Sequence, residues 1–448
     1  MTQTPVPKLV STLAVPTIIS MLITSFYNMA DTFFVSKIGT SATGAVGVVF
    51  SLMAVIQAMG FLFGHGSGNY ISRQLGQQQT EDAARMAATG FFSALIAGAI
   101  FSVTGLIFLK PLVRLLGATE TILPYAMDYA GYILIGAPYM AASLVLNNQL
   151  RFQGSAFYSM IGLGTGAILN IALDPLFIFV LQMGVGGAAL ATIISQLVSF
   201  VLLLIGCTRG GNLTIKLRNF TPKLHYFKNI LRGGLPSLCR QGLASVATIC
   251  LNRAAGGYGD AAIAAMSVVS RITMFANSAL IGFGQGFQPV CGFNYGAKLY
   301  ARVREAFWFC VKLGTVFLLV MAALGLIFSP QLIGIFQKDD PAVMTIGTLA
   351  LRLQCVTFPL NAWITMCSMM LQTIGKAAKA SVLSMARQGL FFLPAILILP
   401  MCFGLLGVQI SQPVADVASF ILAIPLGMSI LREMQRQERQ LLAQDAVC

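Results

Sequence analysis

Polar positions are so sparse along this chain that the apolar stretches define it: they run over roughly 9–34, 42–72, 86–109, 124–149, 157–181, 184–208, 228–254, 262–291, 305–329, 343–371, 379–402 and 405–431. Each is near or above the ~20 residues that a helix needs to cross a bilayer. None alternates apolar and polar residues over ~10 positions, as the strands of a membrane barrel would. The pattern therefore predicts an all-α integral membrane protein of about twelve transmembrane helices, since lipid offers backbone groups no partners outside a helix or a closed barrel. The first stretch is long and contains Pro16, Asn28 and Asp31, so it reads as the first span and not as a cleaved leader.

The most polar internal stretch, "TRGGNLTIKLRNFTPKLHYFKNILRGG" at 208–234, divides the chain near its midpoint. Shifting the sequence by 220 positions pairs Pro16 with Pro236, Gly39 with Gly259, Gly64 with Gly284, Gly66 with Gly286 and Gly76 with Gly296. A shift of 221 pairs Pro138 with Pro359 and Gly154 with Gly375. Glycine and proline have backbone roles that other residues replace poorly, so the register indicates a duplication. The expected organisation is an N-lobe of six spans over 1–207, a cytoplasmic linker over 208–227, a C-lobe of six spans over 228–431 and a cytoplasmic tail over 432–448. Two pseudo-symmetric six-helix bundles of this kind form a parallel repeat, with an expected cavity between the lobes. The tail, "LREMQRQERQLLAQDAVC", reads as a charged amphipathic helix lying along the membrane.

Composition changes this picture in one respect. Only 9% of residues are charged and mean hydropathy is +0.81, far from a soluble domain, yet the net charge of +14 raises the question of a nucleic-acid partner. Placed on the spans, most basic residues fall on one side, in clusters such as Arg209 to Arg232 and Lys298 to Lys312, against Lys37, Lys110, Arg114 and Lys338 on the other. That is the positive-inside bias, which sets both termini in the cytoplasm and makes the charge topological. The nine cysteines include no C-x-x-C pair, and His65 and His225 fit no metal-ligand spacing. No cofactor and no resident metal is expected.

Against this background, "SFYNMADTFFVSKIG" and "NIALDP" place Asp31 and Asp174 inside the first and fifth spans. Intramembrane acids are costly and usually serve ion or proton pathways. Tyr27 and Asp31, like Asn170 and Asp174, are four apart and share a helix face. Asp31, Asp174 and Thr192 in the sixth span fall at one depth, and the repeat partners of the two acids are not acidic, which confines the site to the first lobe. Two carboxylates held close cannot both stay ionised cheaply. They must share a proton or hold a cation such as Na+, which the carboxylates, the Asn170 amide and the Thr192 hydroxyl could ligate.

These residues resemble a known family. Pro16, Tyr27 with Asp31, "N-I-x-x-D-P" at 170–175 and "GVGGAALAT…SQ" at 184–196 are similar to the MATE (multidrug and toxic compound extrusion) transporters, closest to the bacterial MepA-like and DinF-like group, over essentially the whole chain. The resemblance implies a cation-coupled antiporter, driven by H+ or Na+, that exports small amphipathic and often cationic organic compounds from the bacterial cytoplasmic (inner) membrane. It implies an N-lobe cation site at Asp31, Asn170, Asp174 and Thr192 beside Tyr27, a hinge at Pro16, and a cavity wall that includes Tyr129 and Asn147. The chain departs from the NorM-type pattern, since the seventh span holds Arg240 and no acid.

The C-lobe carries Arg240, Arg271 and Arg352 inside spans, against one acid, Asp416. At least one arginine is expected to bond Asp416, with the others reaching a water-filled cavity. Met366 and Met370 in "MCSMM" could offer an adaptable drug surface, although core packing is the plainer reading. "GHGSG" at 64–68 fits no hydrolase spacing and reads as a close-packing element. The reading is thus a transporter working as a monomer among lipids, with no nucleic acid and no enzymatic activity. A flippase for lipid-linked sugars, which would better use the C-lobe arginines, is the alternative; an intramembrane enzyme would need a nucleophile and base that the sequence does not offer.

Overall fold

The computed structural model describes residues 1–336 and 340–445; Lys338 and Cys448, counted above, lie outside them. The chain is built of helices, in order α1 (Val6–Ser36), α2 (Thr40–Gly76), α3 (Thr80–Ile107), α4 (Leu109–Leu115), α5 (Leu123–Phe152), α6 (Ala156–Pro175), α7 (Gly184–Cys207) and α8 (Leu224–Gly256). There follow α9 (Asp260–Gly296), α10 (Tyr300–Ile327), α11 (Ser329–Phe336), α12 (Pro341–Thr357), α13 (Leu360–Thr373), α14 (Ala377–Met385), α15 (Phe392–Phe403) and α16 (Leu405–Asp445). Among the described residues ten helices are long and apolar enough to cross a membrane, or eleven if α12 and α13, bent by 57° at their junction, form one span. The count falls short of twelve because of α8. Its 33 residues extend about 50 Å, but Lys228, Arg232, Arg240 and Arg253 dilute its apolar character.

The 220-residue register is visible in the backbone. α2 and α9 begin and end 220 residues apart, as do α3 and α10. Gln78 and Lys298 adopt left-handed φ values of 60° and 59°, unusual for residues with a Cβ. Both close the preceding helix in the same way: Gln79 N–H donates to the Gln74 carbonyl at 2.9 Å and Leu299 N–H to the Asn294 carbonyl at 2.8 Å. This is the Schellman arrangement, which returns the chain for an antiparallel partner.

Two compact units divide the chain, Thr12–Leu238 and Met1–Ser11 with Cys239–Cys448. In the first, α5 is the central helix, packed against α2, α3 and α7, while α6 lies on α7. Its core gathers Val49, Leu52, Ile56, Tyr129, Ile133, Leu134 and Ile178. In the second, α9 packs against α10, α12 and α13, and α16 against α13 and α15. The tail does not leave this unit as a separate helix lying along a membrane. It continues α16 without a break, held by ion pairs from Arg304 to Glu438 and from Lys376 to Glu433, because Ile430 and Met434 remain buried on the same face.

The glycines of "GHGSG" do serve close packing. A Cβ on Gly66 would stand 2.2 Å from the Ile230 carbonyl oxygen of α8, and one on Gly234 would stand 2.1 Å from the Leu62 carbonyl oxygen of α2. Neither obstacle is a flexible side chain, so Gly66→Ala must push the two helices apart. The variant is expected to lose about 1–3 kcal/mol, read as a lower melting temperature in detergent. His65, on α2, is buried against α5, stacked on Phe61 of its own helix and 3.2 Å from the Arg151 guanidinium.

Candidate functional site

α6 ends at the dipeptide Asp174–Pro175. Proline has no N–H to give to the carbonyl four residues earlier, and directly after it the helix widens into a π turn, Leu176–Val180, with Leu181 N–H donating to the Leu176 carbonyl at 2.9 Å. Such widened turns recur at functional sites because they rotate side chains out of the regular register. Here Asp174 is 0% exposed and Asn170, one turn earlier, is 1% exposed. Neither can be solvated by bulk water.

Asp31, half-buried on α1, comes from the opposite end of the unit's sequence and lies within hydrogen-bonding reach of Asp174. Each carboxyl keeps a buried oxygen, Asp31 Oδ1 and Asp174 Oδ1, with no hydrogen-bond partner among the described residues. Asn170 is oriented by its neighbours. One orientation of its amide faces oxygen with oxygen and nitrogen with N–H. The other lets the nitrogen donate to Asp174 Oδ2 at 3.0 Å and the oxygen accept from Thr192 N–H at 3.1 Å. The Thr192 hydroxyl donates to the Ala188 carbonyl at 3.0 Å, and the Tyr27 and Tyr129 hydroxyls lie beside it.

Five residues singled out in the sequence, Tyr27, Asp31, Asn170, Asp174 and Thr192, thus meet in one buried cluster. Tyr129, expected on a cavity wall, is fully buried and belongs to the same cluster. Asn147 stands apart: its Nδ2 donates to Ser159 Oγ at 2.7 Å, tying α5 to α6. Pro16 lies inside α1 without ending it; the Thr17 hydroxyl donates to the Leu13 and Ala14 carbonyls and the Ser20 hydroxyl to Pro16. These side-chain bonds occupy carbonyls around the point where proline interrupts the ladder.

The second unit corrects two expectations. The arginine that bonds Asp416 is none of Arg240, Arg271 or Arg352. It is Arg387, whose Nε donates to Asp416 Oδ1 at 2.7 Å, with Gln412 at 2.9 Å and Thr357 at 3.4 Å completing the shell. Arg387 sits in a second π turn, Ala386–Leu390, which turns it toward α16. Arg271 and Arg352 are exposed, and Arg352 donates to Ser329 Oγ at 2.8 Å, while Arg240 is half-buried on α8. Met366 and Met370 are fully buried core residues, not a drug-facing surface. Gly284 of α9 makes room for Met366 and its neighbour Met369, which fill the space that a Cβ there would take.

Nothing in the sequence neighbourhood of Arg387 marks it as a partner for a residue 29 positions on. A second unforeseen group joins Tyr70, Asp82 and Tyr226. The only signal that could have singled it out is the repeat, which places Asp82 opposite Arg302.

Comparison with known proteins agrees with this architecture. The chain is 28% identical over 407 residues to the multidrug export protein MepA of Staphylococcus saprophyticus subsp. saprophyticus, covering 90% of this chain and 89% of that protein. It is 29% identical to the outward-facing conformation of a multidrug resistance MATE family transporter of the MOP superfamily, with a TM-score of 0.92 and coverage of 97% and 98%. A MOP superfamily transporter from Pyrococcus furiosus Vc1 (DSM3638), for which a reverse polarity of the binding pocket has been taken to suggest a different function, is also 29% identical, with a TM-score of 0.90 and 97% coverage of each chain. The pattern that defines the MatE family matches twice, at residues 16–176 and 236–397, in the register of the internal repeat. The chain belongs to the MatE family, the MATE transporters.

Proposed function

We propose that this protein is a multidrug efflux antiporter, which exports amphipathic, often cationic organic compounds across a bacterial cytoplasmic membrane in exchange for an inward-moving cation. The observation that carries the reading is the pair of half-buried Asp31 and buried Asp174, each with a buried oxygen that has no hydrogen-bond partner among the described residues. The multidrug export named for the similar proteins supports the substrate class. In the proposed cycle a drug enters from the cytoplasm, the protein opens outward by alternating access, and a cation loads the acidic pair. Loading reshapes α1 near Pro16 and expels the drug. Coupling requires only that cation and drug prefer different states.

Of the two cations, the proton fits these residues better. In the orientation that satisfies both of its ends, the Asn170 amide gives its nitrogen to Asp174 and its oxygen to Thr192 N–H, which withdraws it from any ligand set around the carboxylates. A proton shared between two carboxyls needs no further oxygens, whereas Na+ prefers a shell of several hard oxygen ligands. Arg271 and Arg352, exposed cations on α9 and α12, favour a second reading, movement of an anionic lipid-linked sugar. The neutralisation of Arg387 by Asp416 reduces the basic surface that such cargo would need.

Proteoliposomes holding the purified protein test both readings. An imposed pH gradient is expected to drive ethidium against its concentration gradient, and a Na+ gradient at constant pH is expected to drive none. Ethidium movement indifferent to either gradient would end the antiport reading, and headgroup-dependent movement of a lipid-linked sugar would replace it.

A further inference from the structure

The two helices that open the halves of the repeat, α1 and α8, share an unusual distribution. The compact unit Thr12–Leu238 contains the first part of α8, and the unit made of Met1–Ser11 and Cys239–Cys448 contains the first part of α1. Each helix therefore begins in one unit and continues in the other, and Pro16 and Pro236 lie within a few residues of the two crossing points.

Each of these helix beginnings is gripped by one charged side chain, and the two side chains occupy equivalent positions of the repeat. In the first unit, Asp82 on the first turn of α3 accepts from the Tyr226 hydroxyl at 2.6 Å and the Tyr70 hydroxyl at 2.5 Å. Tyr226 lies on the first turn of α8. In the second unit, Arg302 on the first turn of α10 donates from Nη2 to the Thr4 carbonyl at 2.5 Å and the Met1 carbonyl at 3.4 Å, just before α1. Its Nε is fixed by Asn294 Oδ1 at 2.9 Å. The residues stand 220 positions apart, behind the paired left-handed turns at Gln78 and Lys298.

The signs of the charges follow their partners. Asp82 faces hydroxyl donors and suits the positive end of α3, whereas Arg302 faces carbonyl acceptors and sits at the N-terminal end of α10, where a cation is disfavoured by the helix dipole. A residue held against the dipole must be held by its contacts. Around Tyr226 the grip is deepened by an apolar cluster with Ile71, Met86 and Ile230 and by the backbone approach at Gly66.

We propose that Asp82 and Arg302 are positioning residues forming a matched pair of clamps, which hold the beginnings of α8 and α1 and must release for the transporter to open toward the side of its termini. This inference rests on the antiport reading for the meaning of opening, while the clamps themselves are tested without any transport. A clamp on each repeat-opening helix, ahead of its proline, lets one hinge bend without dragging the other, so release shifts the equilibrium toward the state that admits substrate.

Hydrogen–deuterium exchange on the full chain in lipid nanodiscs tests the pair. Asp82→Asn, and Tyr226→Phe as a milder variant that removes one hydroxyl, are expected to raise exchange at least tenfold in residues 224–236 while leaving 6–14 unchanged. Arg302→Gln is expected to do the reverse, and Arg302→Lys to restore part of the protection. Each is expected to tighten ethidium binding several-fold without a cation gradient, because the apparent affinity scales with the population of the competent state. Exchange that rises equally at both helix beginnings, or at neither, overturns the clamps. Local exchange as expected, in a protein that moves no ethidium under a gradient, leaves the clamps standing and rejects the antiport reading instead.

Discussion

Asp174→Asn is expected to abolish gradient-driven export while leaving drug binding intact. The substitution is nearly isosteric, so the packing of a residue with 0% exposure is preserved. What disappears is the exchangeable proton. In the parent protein the two carboxyls lie within hydrogen-bonding reach, and loading them is the proposed event that disfavours the drug-bound state. A coupling free energy of 1–3 kcal/mol makes the drug affinity differ by roughly 5–150-fold between loaded and unloaded protein. Ethidium binding followed by fluorescence anisotropy across a pH series should show that difference in the parent chain and a flat profile in Asp174→Asn. Asp31→Asn should flatten it too, and the double variant should be no worse than either single one, because the pair acts as a unit. A pH-dependent affinity that survives in the double variant would place the coupling elsewhere.

The second large effect concerns the other unit. Removing one member of a buried ion pair costs about 3–5 kcal/mol because its partner is stranded. Asp416 is almost fully enclosed and holds Arg387, Gln412 and Thr357 together. Arg387 keeps a quarter of its side chain exposed and so recovers some hydration when left alone, which places Asp416→Ala near the lower end, about 3 kcal/mol. Thermal unfolding in detergent should show a large drop for Asp416→Ala and a smaller one for the double variant with Arg387→Gln. Simple additivity of the two single effects would show that the pair contributes nothing as a pair.

The fate of Arg387 also shows where reading the chain one residue at a time stops working. Its sequence neighbours, "MARQGL", carry no acid and nothing that marks a partner. A π turn that no local pattern announces rotates it onto Asp416. The same limitation left a drug surface open beside core packing for Met366 and Met370, although Gly284, more than 80 residues away in the chain, makes the space that Met366 and its neighbour Met369 fill. Asp31 and Asp174 were legible for the opposite reason: an acid among apolar residues is expensive wherever it lies, so its identity alone marks it.

By itself the sequence determined that this chain crosses a membrane as helices, that it contains two copies of one pattern, and that acids stand where acids are costly. Those properties follow from composition and period, which depend on no distant contact. Only the tertiary structure decided which arginine neutralises Asp416, which way the Asn170 amide turns, and that α1 and α8 each begin in one compact unit and continue in the other. Each of these depends on residues far apart in the chain meeting at hydrogen-bonding distance, which is set by how the helices pack and where their regular turns give way.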